Sequence, residues 1–148
     1  MIRVKLYLKK YDWLVHCYIA VDCYYTYEIL DKMRRIGASR RIMADAHKNL
    51  LACQLDTGLC YSNPELRESV WVTSLTSEPG EFLNSIVHEI RHLQQHIANE
   101  CGLDNDSEEV CYLCGNIAQE LFKHCHFPLC PRCRCERLAK TPEKSLLS

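Results

Sequence analysis

Alternating apolar and polar positions open the chain and predict a β-hairpin. Every second residue is aliphatic over positions 2–8, and alternate positions of 13–21 carry Trp, Val, Cys, Ile and Val. This period of two is the pattern of strands with one buried face. The polar segment 9–12 links them. A third strand is predicted over residues 69–74, as an edge strand, and the polar residues 56–64 before it are expected to form a long loop.

Helical periodicity and capping residues predict four helices. Gly37 and Gly102 follow two of them, where glycine commonly ends a helix. Ser77 is the expected N-cap of the third helix, and Pro79 suits its first turn. The helices are predicted over about residues 22–36, 39–52, 77–99 and 107–124. The fold class is therefore α+β: a small, mostly antiparallel three-stranded sheet with four helices and an irregular Cys-rich C-terminal tail.

Length and charge restrict the domain organisation and the function classes that the sequence allows. A chain of 148 residues predicts one domain, here residues 1–127, with a Cys-rich basic tail at 128–148. The net charge of −1 argues against general binding of nucleic acids or membrane surfaces. The N-terminus lacks the apolar run of a signal peptide, and no apolar run is long enough to span a bilayer. We therefore expect a cytoplasmic protein without a membrane segment.

The cysteine count is 11, an odd number in a chain without an export signal. That combination argues against a full disulfide framework and favours free or metal-bound thiols. Five cysteines are expected to be ordinary core or surface residues: Cys17, Cys23, Cys53, Cys60 and Cys101.

The strongest chemical signal is the sequence HEIRH at residues 88–92, within the third predicted helix. Residues four apart lie on one face of a helix, so His88 and His92 can bind one Zn²⁺. Glu89 lies to the side, where it can reach a metal-bound water as general base. His96 continues the row by one more turn and is expected to be exposed.

A catalytic zinc usually has three protein ligands and a water. We expect the third ligand at the start of the last helix, where two glutamates are adjacent. Glu108 begins a stripe of small residues that permits close packing of helices, which favours it, whereas Glu109 is the alternative.

The tail contains a second candidate metal site. Cys130 and Cys133 form a CxxC pair, and two thiolates at this spacing can converge on one soft metal ion. Cys125 (or His126) and Cys135 would complete a tetrahedral site. Free thiols or a disulfide are the alternatives. The basic residues of the tail lack interleaved aromatic residues, so nucleic acid is not a favoured partner.

The HEIRH sequence, followed by an acidic pair in a second helix, resembles the gluzincin clan of zinc metallopeptidases. More narrowly, residues 61–64, 69–74, 81–92 and 107–115 resemble small zincin-like proteins of gut-bacterial phages and mobile elements. The resemblance covers roughly residues 1–127. Gluzincins often carry Glu-x-x-Ala or a similar small residue, and Glu108 with Cys111 fits that pattern.

The resemblance implies a minimal zincin-like core, one catalytic zinc, and hydrolysis of a peptide or protein by a zinc-activated water with Glu89 as general base. Candidate donors for oxyanion stabilisation are Arg91, Tyr112, His96 and Tyr61. The predicted edge strand could align an extended substrate by β-addition. The alternative function is a catalytically silent, zinc-binding module of the same fold that binds a protein or, less favoured, a nucleic acid. The sequence does not indicate an oligomeric state.

Overall fold

The computed structural model describes residues 1–125 and has a four-stranded mixed sheet with two helices on each face. The strand order is β1-β2-β4-β3; β1–β2 and β3–β4 are antiparallel, and β2–β4 is parallel. The α+β class is confirmed. The elements are β1 Ile2–Leu8, β2 Trp13–Val21, α1 Thr26–Arg35, α2 Arg40–Leu51, β3 Gly58–Asn63, β4 Glu68–Ser74, α3 Pro79–Cys101 and α4 Glu108–Phe122.

Adjacent residues of the central strands point to opposite faces of the sheet, as the pleat requires. Trp71 of β4 belongs to the hydrophobic cluster that includes Ile86 and Ile90 of α3. Val70 and Val72 belong to the other cluster, with Ile29 of α1. The chain therefore forms three layers, with α1 and α2 on one face of the sheet and α3 and α4 on the other.

The predicted three-stranded sheet is wrong in its detail, because the sheet has four strands. Residues Gly58–Asn63, expected within a loop, form the edge strand β3, and the expected edge strand, β4, lies between β2 and β3. The β3 sequence begins with Gly and ends with Asn, residues that are depleted in strands, and only Leu59 and Tyr61 mark its apolar face. The parallel pairing of β2 with β4 joins distant segments, which no local pattern reveals.

Most helices begin and end where the sequence predicts, but Ser77 is not the N-cap of α3. Its hydroxyl donates a hydrogen bond to Asp56 Oδ2 (2.7 Å), and its backbone N–H donates to Oδ1 (2.8 Å). Glu78 instead is the N-cap of α3, and its side chain caps no backbone N–H. Ser77 therefore anchors the start of α3 to the segment before β3. Pro79 lies at the helix start and Gly102 ends the helix in the left-handed region, as predicted.

Helices α3 and α4 form an antiparallel hairpin through a short turn at residues 102–107. Cys114 Sγ lies 3.7 Å from Gln94 Oε1, which fixes the register of the pair. Leu93 and Leu113 share the same buried cluster. The face of α3 that carries Gln94 is thus the face on which α4 packs.

Candidate functional site

The two histidines of HEIRH lie next to each other on the surface of α3. Both are exposed, and their ring centroids are 4.7 Å apart at an interplanar angle of 78°. The i, i+4 spacing on a regular helix brings the imidazoles onto adjacent turns. Imidazole nitrogens are ligands that zinc and its neighbours in the first transition row prefer. The pair fits two coordination positions of such an ion.

Glu89 points the other way, toward the sheet, and is only 4% exposed. Its Oε1 lies 2.9 Å from His88 Nδ1. Its side chain is packed against the first residue of β3, where Gly58 leaves space: a Cβ atom there would lie 2.5 Å from Glu89 Cγ. The buried carboxylate therefore joins the exposed histidine pair to the edge strand.

His96 was expected to be exposed, and this is wrong: it is half-buried against β3. Its Nδ1 lies 2.8 Å from Ser62 Oγ, which lies 2.7 Å from Ser69 Oγ, which accepts a hydrogen bond from Trp13 Nε1 (2.7 Å). Burial lowers the pKa of His96, and the nearby His92 lowers it further. An indole N–H can only donate, so Ser69 accepts from Trp13 and can donate to Ser62, which can in turn donate to His96 Nδ1. This direction of hydrogen bonding favours a neutral His96 with its proton on Nε2.

Cys60 lies beside the same histidine, with its Sγ 3.9 Å from His96 Nδ1. Burial raises the pKa of the Cys60 thiol, and the carboxylate of Glu89 raises it further. Gly58, Cys60 and Ser62 alternate along β3 and share its α3-facing side. This side of the edge strand and the histidine row of α3 together define the candidate site.

The two glutamates at the start of α4 lie away from the histidine pair. Glu109 forms an ion pair with Lys10 (2.8 Å) and accepts a hydrogen bond from the Tyr11 hydroxyl (3.3 Å). The hydrogen bond from Lys10 lowers the pKa of Glu109. Glu108 is exposed and lines a groove beside Tyr7 and the β1–β2 link.

The packing of α4 explains why neither glutamate approaches the histidines. Gln94, which contacts Cys114 of α4, is two positions from both His92 and His96 and projects about 160° away from them around the helix axis. Glu109 is held by Lys10, and Glu108 lines the groove beside the same β1–β2 link. Among residues 1–125, no three His, Cys, Asp or Glu side chains form a group that could hold a metal ion.

Three of the four candidate oxyanion donors also lie away from the histidine pair. Arg91 donates a hydrogen bond to Gln94, toward α4. Tyr112 is exposed in the groove beside Glu108. Tyr61 faces the α1–α2 side of the sheet, where it packs on the second cluster. Only His96, of these four, lies on the same flank of α3 as the pair.

The second candidate metal site falls mostly outside the described residues. Cys125 is half-buried and packs on the cluster formed by α3 and α4, and burial raises its pKa. Cys130, Cys133 and Cys135 lie beyond residue 125, as does the predicted domain boundary at residue 127. The tail site thus stays a prediction.

No protein-family model, curated protein or solved structure matches this chain. Among residues 1–125, no helix has both the length and the apolar character needed to cross a membrane.

Proposed function

We propose that this protein is a zinc-dependent metallopeptidase whose site is the flank of α3 that carries His88, Glu89 and His92. One observation carries the proposal: a buried carboxylate lies 2.9 Å from one of two adjacent, exposed imidazoles and packs against the edge strand of a sheet. Metal-ion donors, a candidate general base and a surface for an extended peptide are thereby neighbours.

The roles follow from exposure and chemistry. His88 and His92 would hold the zinc ion. Bound zinc would supply Lewis-acid chemistry, lowering the pKa of a water from about 15.7 toward about 7 and polarising a carbonyl oxygen. Glu89 would accept the proton of the attacking water and return it to the leaving amine. Its packing against Gly58 holds the carboxylate beside His88 and restricts its rotamers.

The substrate would bind along β3. In the described part of the chain, β3 pairs only with β4, so its outer edge retains free backbone N–H and C=O groups. An extended peptide can add to such an edge through main-chain hydrogen bonds. Alternate side chains of that peptide would then face α3 and its histidine row. The strand proposed to align the substrate is therefore Gly58–Asn63, rather than residues 69–74 as the sequence suggested.

The third ligand predicted at Glu108 is not part of this proposal, and its assignment stays a sequence-based prediction. The geometry supports a proposal built on the histidine pair, because α4 packs on the opposite flank of α3. A cytoplasmic location and a peptide or protein substrate belong to the same proposal.

A second function is favoured by one observation: residues 1–125 contain no group of three metal-binding side chains. A site with two histidines can bind zinc without hydrolysing a peptide. In that case the protein is a silent module that holds a partner along β3.

Zinc content and peptide cleavage together test the proposal. The full chain is purified with zinc, and His88→Ala and His92→Ala are compared with His47→Ala, a control on α2. The proposal expects the first two variants to lose the site's zinc and cleavage of a casein digest, and the control to keep both. Zinc loss without any cleavage by the unmodified protein supports the silent module. Equal zinc content in all variants contradicts both functions.

A further inference from the structure

Two cysteines that are far apart in sequence meet at the side of the sheet opposite α3. Cys23 begins the turn after β2, and Cys53 follows the end of α2. The backbone N–H of Cys23 donates a hydrogen bond to Cys53 Sγ at 3.2 Å. Hydrogen bonding to the neighbouring Cys53 is the main cause that raises the pKa of the Cys23 thiol.

The pair is open to small reagents. Cys53 is exposed and Cys23 is half-buried. Both line a cavity of about 250 Å³ between the ends of β2 and α2 and the start of β3, where Asn49, Thr57 and Ser74 supply polar groups. This cavity is large enough to admit the sulfur end of a small thiol compound.

The backbone at Cys53 is also unusual. Its φ angle is +52°, in the left-handed region that non-glycine residues rarely occupy. The residue follows the C-cap of α2, where such a conformation reverses the chain direction. The conformation directs the chain after α2 back toward β2, where the Cys53 thiol meets Cys23.

We propose that Cys23 and Cys53 form a redox-active dithiol site that exchanges with small-molecule disulfides to give a reversible Cys23–Cys53 disulfide. The inference does not depend on the proposed peptidase activity. The exposed Cys53 is the first nucleophile, and Cys23 is the resolving thiol, because the more accessible sulfur meets the reagent first.

The proposed thiol–disulfide exchange takes place in two steps. The Cys53 thiolate attacks one sulfur of the small disulfide, whose S–S bond breaks, and the departing thiolate takes up the proton that Cys53 lost. The Cys23 thiolate then attacks the Cys53 sulfur of this mixed disulfide and expels the second small thiolate, which takes up the proton from Cys23. The protein loses two electrons and two protons, and the small disulfide is reduced to two thiols.

The oxidised form would join the segment before α1 to the segment after α2. The crosslink closes a loop that contains both helices of the second cluster, Thr26–Arg35 and Arg40–Leu51. A crosslink of this kind restricts the unfolded chain and raises the melting temperature.

The test treats the reduced full chain with oxidised glutathione and maps disulfides by tandem mass spectrometry. Digestion uses trypsin with chymotrypsin, because cleavage after Tyr18 and Leu55 separates Cys23 from Cys17 and Cys53 from Cys60. Cys111→Ser, which removes an exposed cysteine of α4, is the control. We expect a crosslinked peptide pair that joins Cys23 to Cys53 in the unmodified protein and in the control. Its mass should be lower by about 2 Da than the sum of its two reduced peptides, because two hydrogens are lost. Reduction with dithiothreitol should release the two peptides.

The single variants separate the two steps. Cys23→Ser should retain one glutathione on Cys53, and Cys53→Ser should form no disulfide at Cys23. If a variant fails to fold by circular dichroism, the crosslink map of the unmodified protein decides alone. The proposal is overturned if Cys23 and Cys53 remain free thiols, keep separate glutathione adducts, or pair with other cysteines.

Discussion

Glu89 and Gly58 are packed so closely that a Cβ atom at position 58 would lie 2.5 Å from Glu89 Cγ and 2.6 Å from its Oε1. No real Cβ contact is this short, so the glycine is required by the carboxylate that it faces. The contact joins the buried carboxylate of HEIRH to the first residue of the edge strand. Any side chain at position 58 must displace Glu89 or shift β3.

Gly58→Ala should therefore destabilise the protein. We expect a loss of about 1–3 kcal/mol in the free energy of unfolding, the usual cost of overpacking a buried site, measured by urea titration. Gly115→Ala is the matched control, since a Cβ at this glycine of α4 meets nothing within 4 Å. There the substitution should stabilise by about 0.5–1 kcal/mol, because alanine favours helix. Equal effects of the two substitutions would contradict the close packing of Glu89 on Gly58.

The buried His16 should make the protein less stable in acid. Burial lowers its pKa in the folded state, although a contact of 3.1 Å with Glu68 opposes this effect and Lys32 and Lys5 add to it. The folded state thus binds its proton less readily than the unfolded state, whose histidine pKa is about 6.5. Its contribution to stability is complete above about pH 6.5 and is lost as the pH falls toward the lower, folded-state pKa.

Replacing His16 tests whether its pKa is lower in the folded state than in the unfolded state. His16→Gln should flatten the fall in unfolding free energy between about pH 6.5 and 5, measured by urea titrations at several pH values. Asn49→Gln, on α2, supplies the comparison, because it removes no titratable group and should leave the slope as it is. A steeper fall in His16→Gln than in the unmodified protein would contradict the assigned direction.

The position of α4 yields a prediction about Glu108. Because α4 packs on the flank of α3 opposite the histidines, Glu108→Gln should retain as much zinc as the unmodified protein, whereas His92→Ala should lose it. Zinc content is measured by atomic absorption after dialysis. If Glu108→Gln loses zinc as completely as His92→Ala, then the carboxylate is a ligand and α4 must reach the histidines when the metal is bound.

The features that the sequence predicted well depend on local patterns. The β1–β2 hairpin was predictable because strict alternation extends over both strands, and its register pairs Val4 with Cys17 as the shared face requires. The left-handed ends at Gly37 and Gly102 were predictable because glycine adopts this conformation without steric cost. The helical placement of His88 and His92 followed from the apolar periodicity around them.

The features that the sequence missed depend on contacts between distant segments. The edge strand β3 is recognised as a strand only through its pairing with β4. Glu109 is held by Lys10, which is 99 positions earlier in the chain, and no helical stripe could indicate that ion pair. The half-burial of His96 depends on Ser62 of the missed strand. Each error therefore reflects tertiary packing rather than local preference.

In the proposed site, Glu89 acts as general base beside a zinc ion held by His88 and His92. Peptide cleavage by Glu89→Gln, measured at the same zinc content as the unmodified protein, tests it most directly, because the substitution keeps the shape of the side chain and removes its basicity. We expect full zinc content and a cleavage rate lower by about 10²–10⁴-fold, the usual contribution of general acid–base catalysis. Cleavage at the unmodified rate would contradict it.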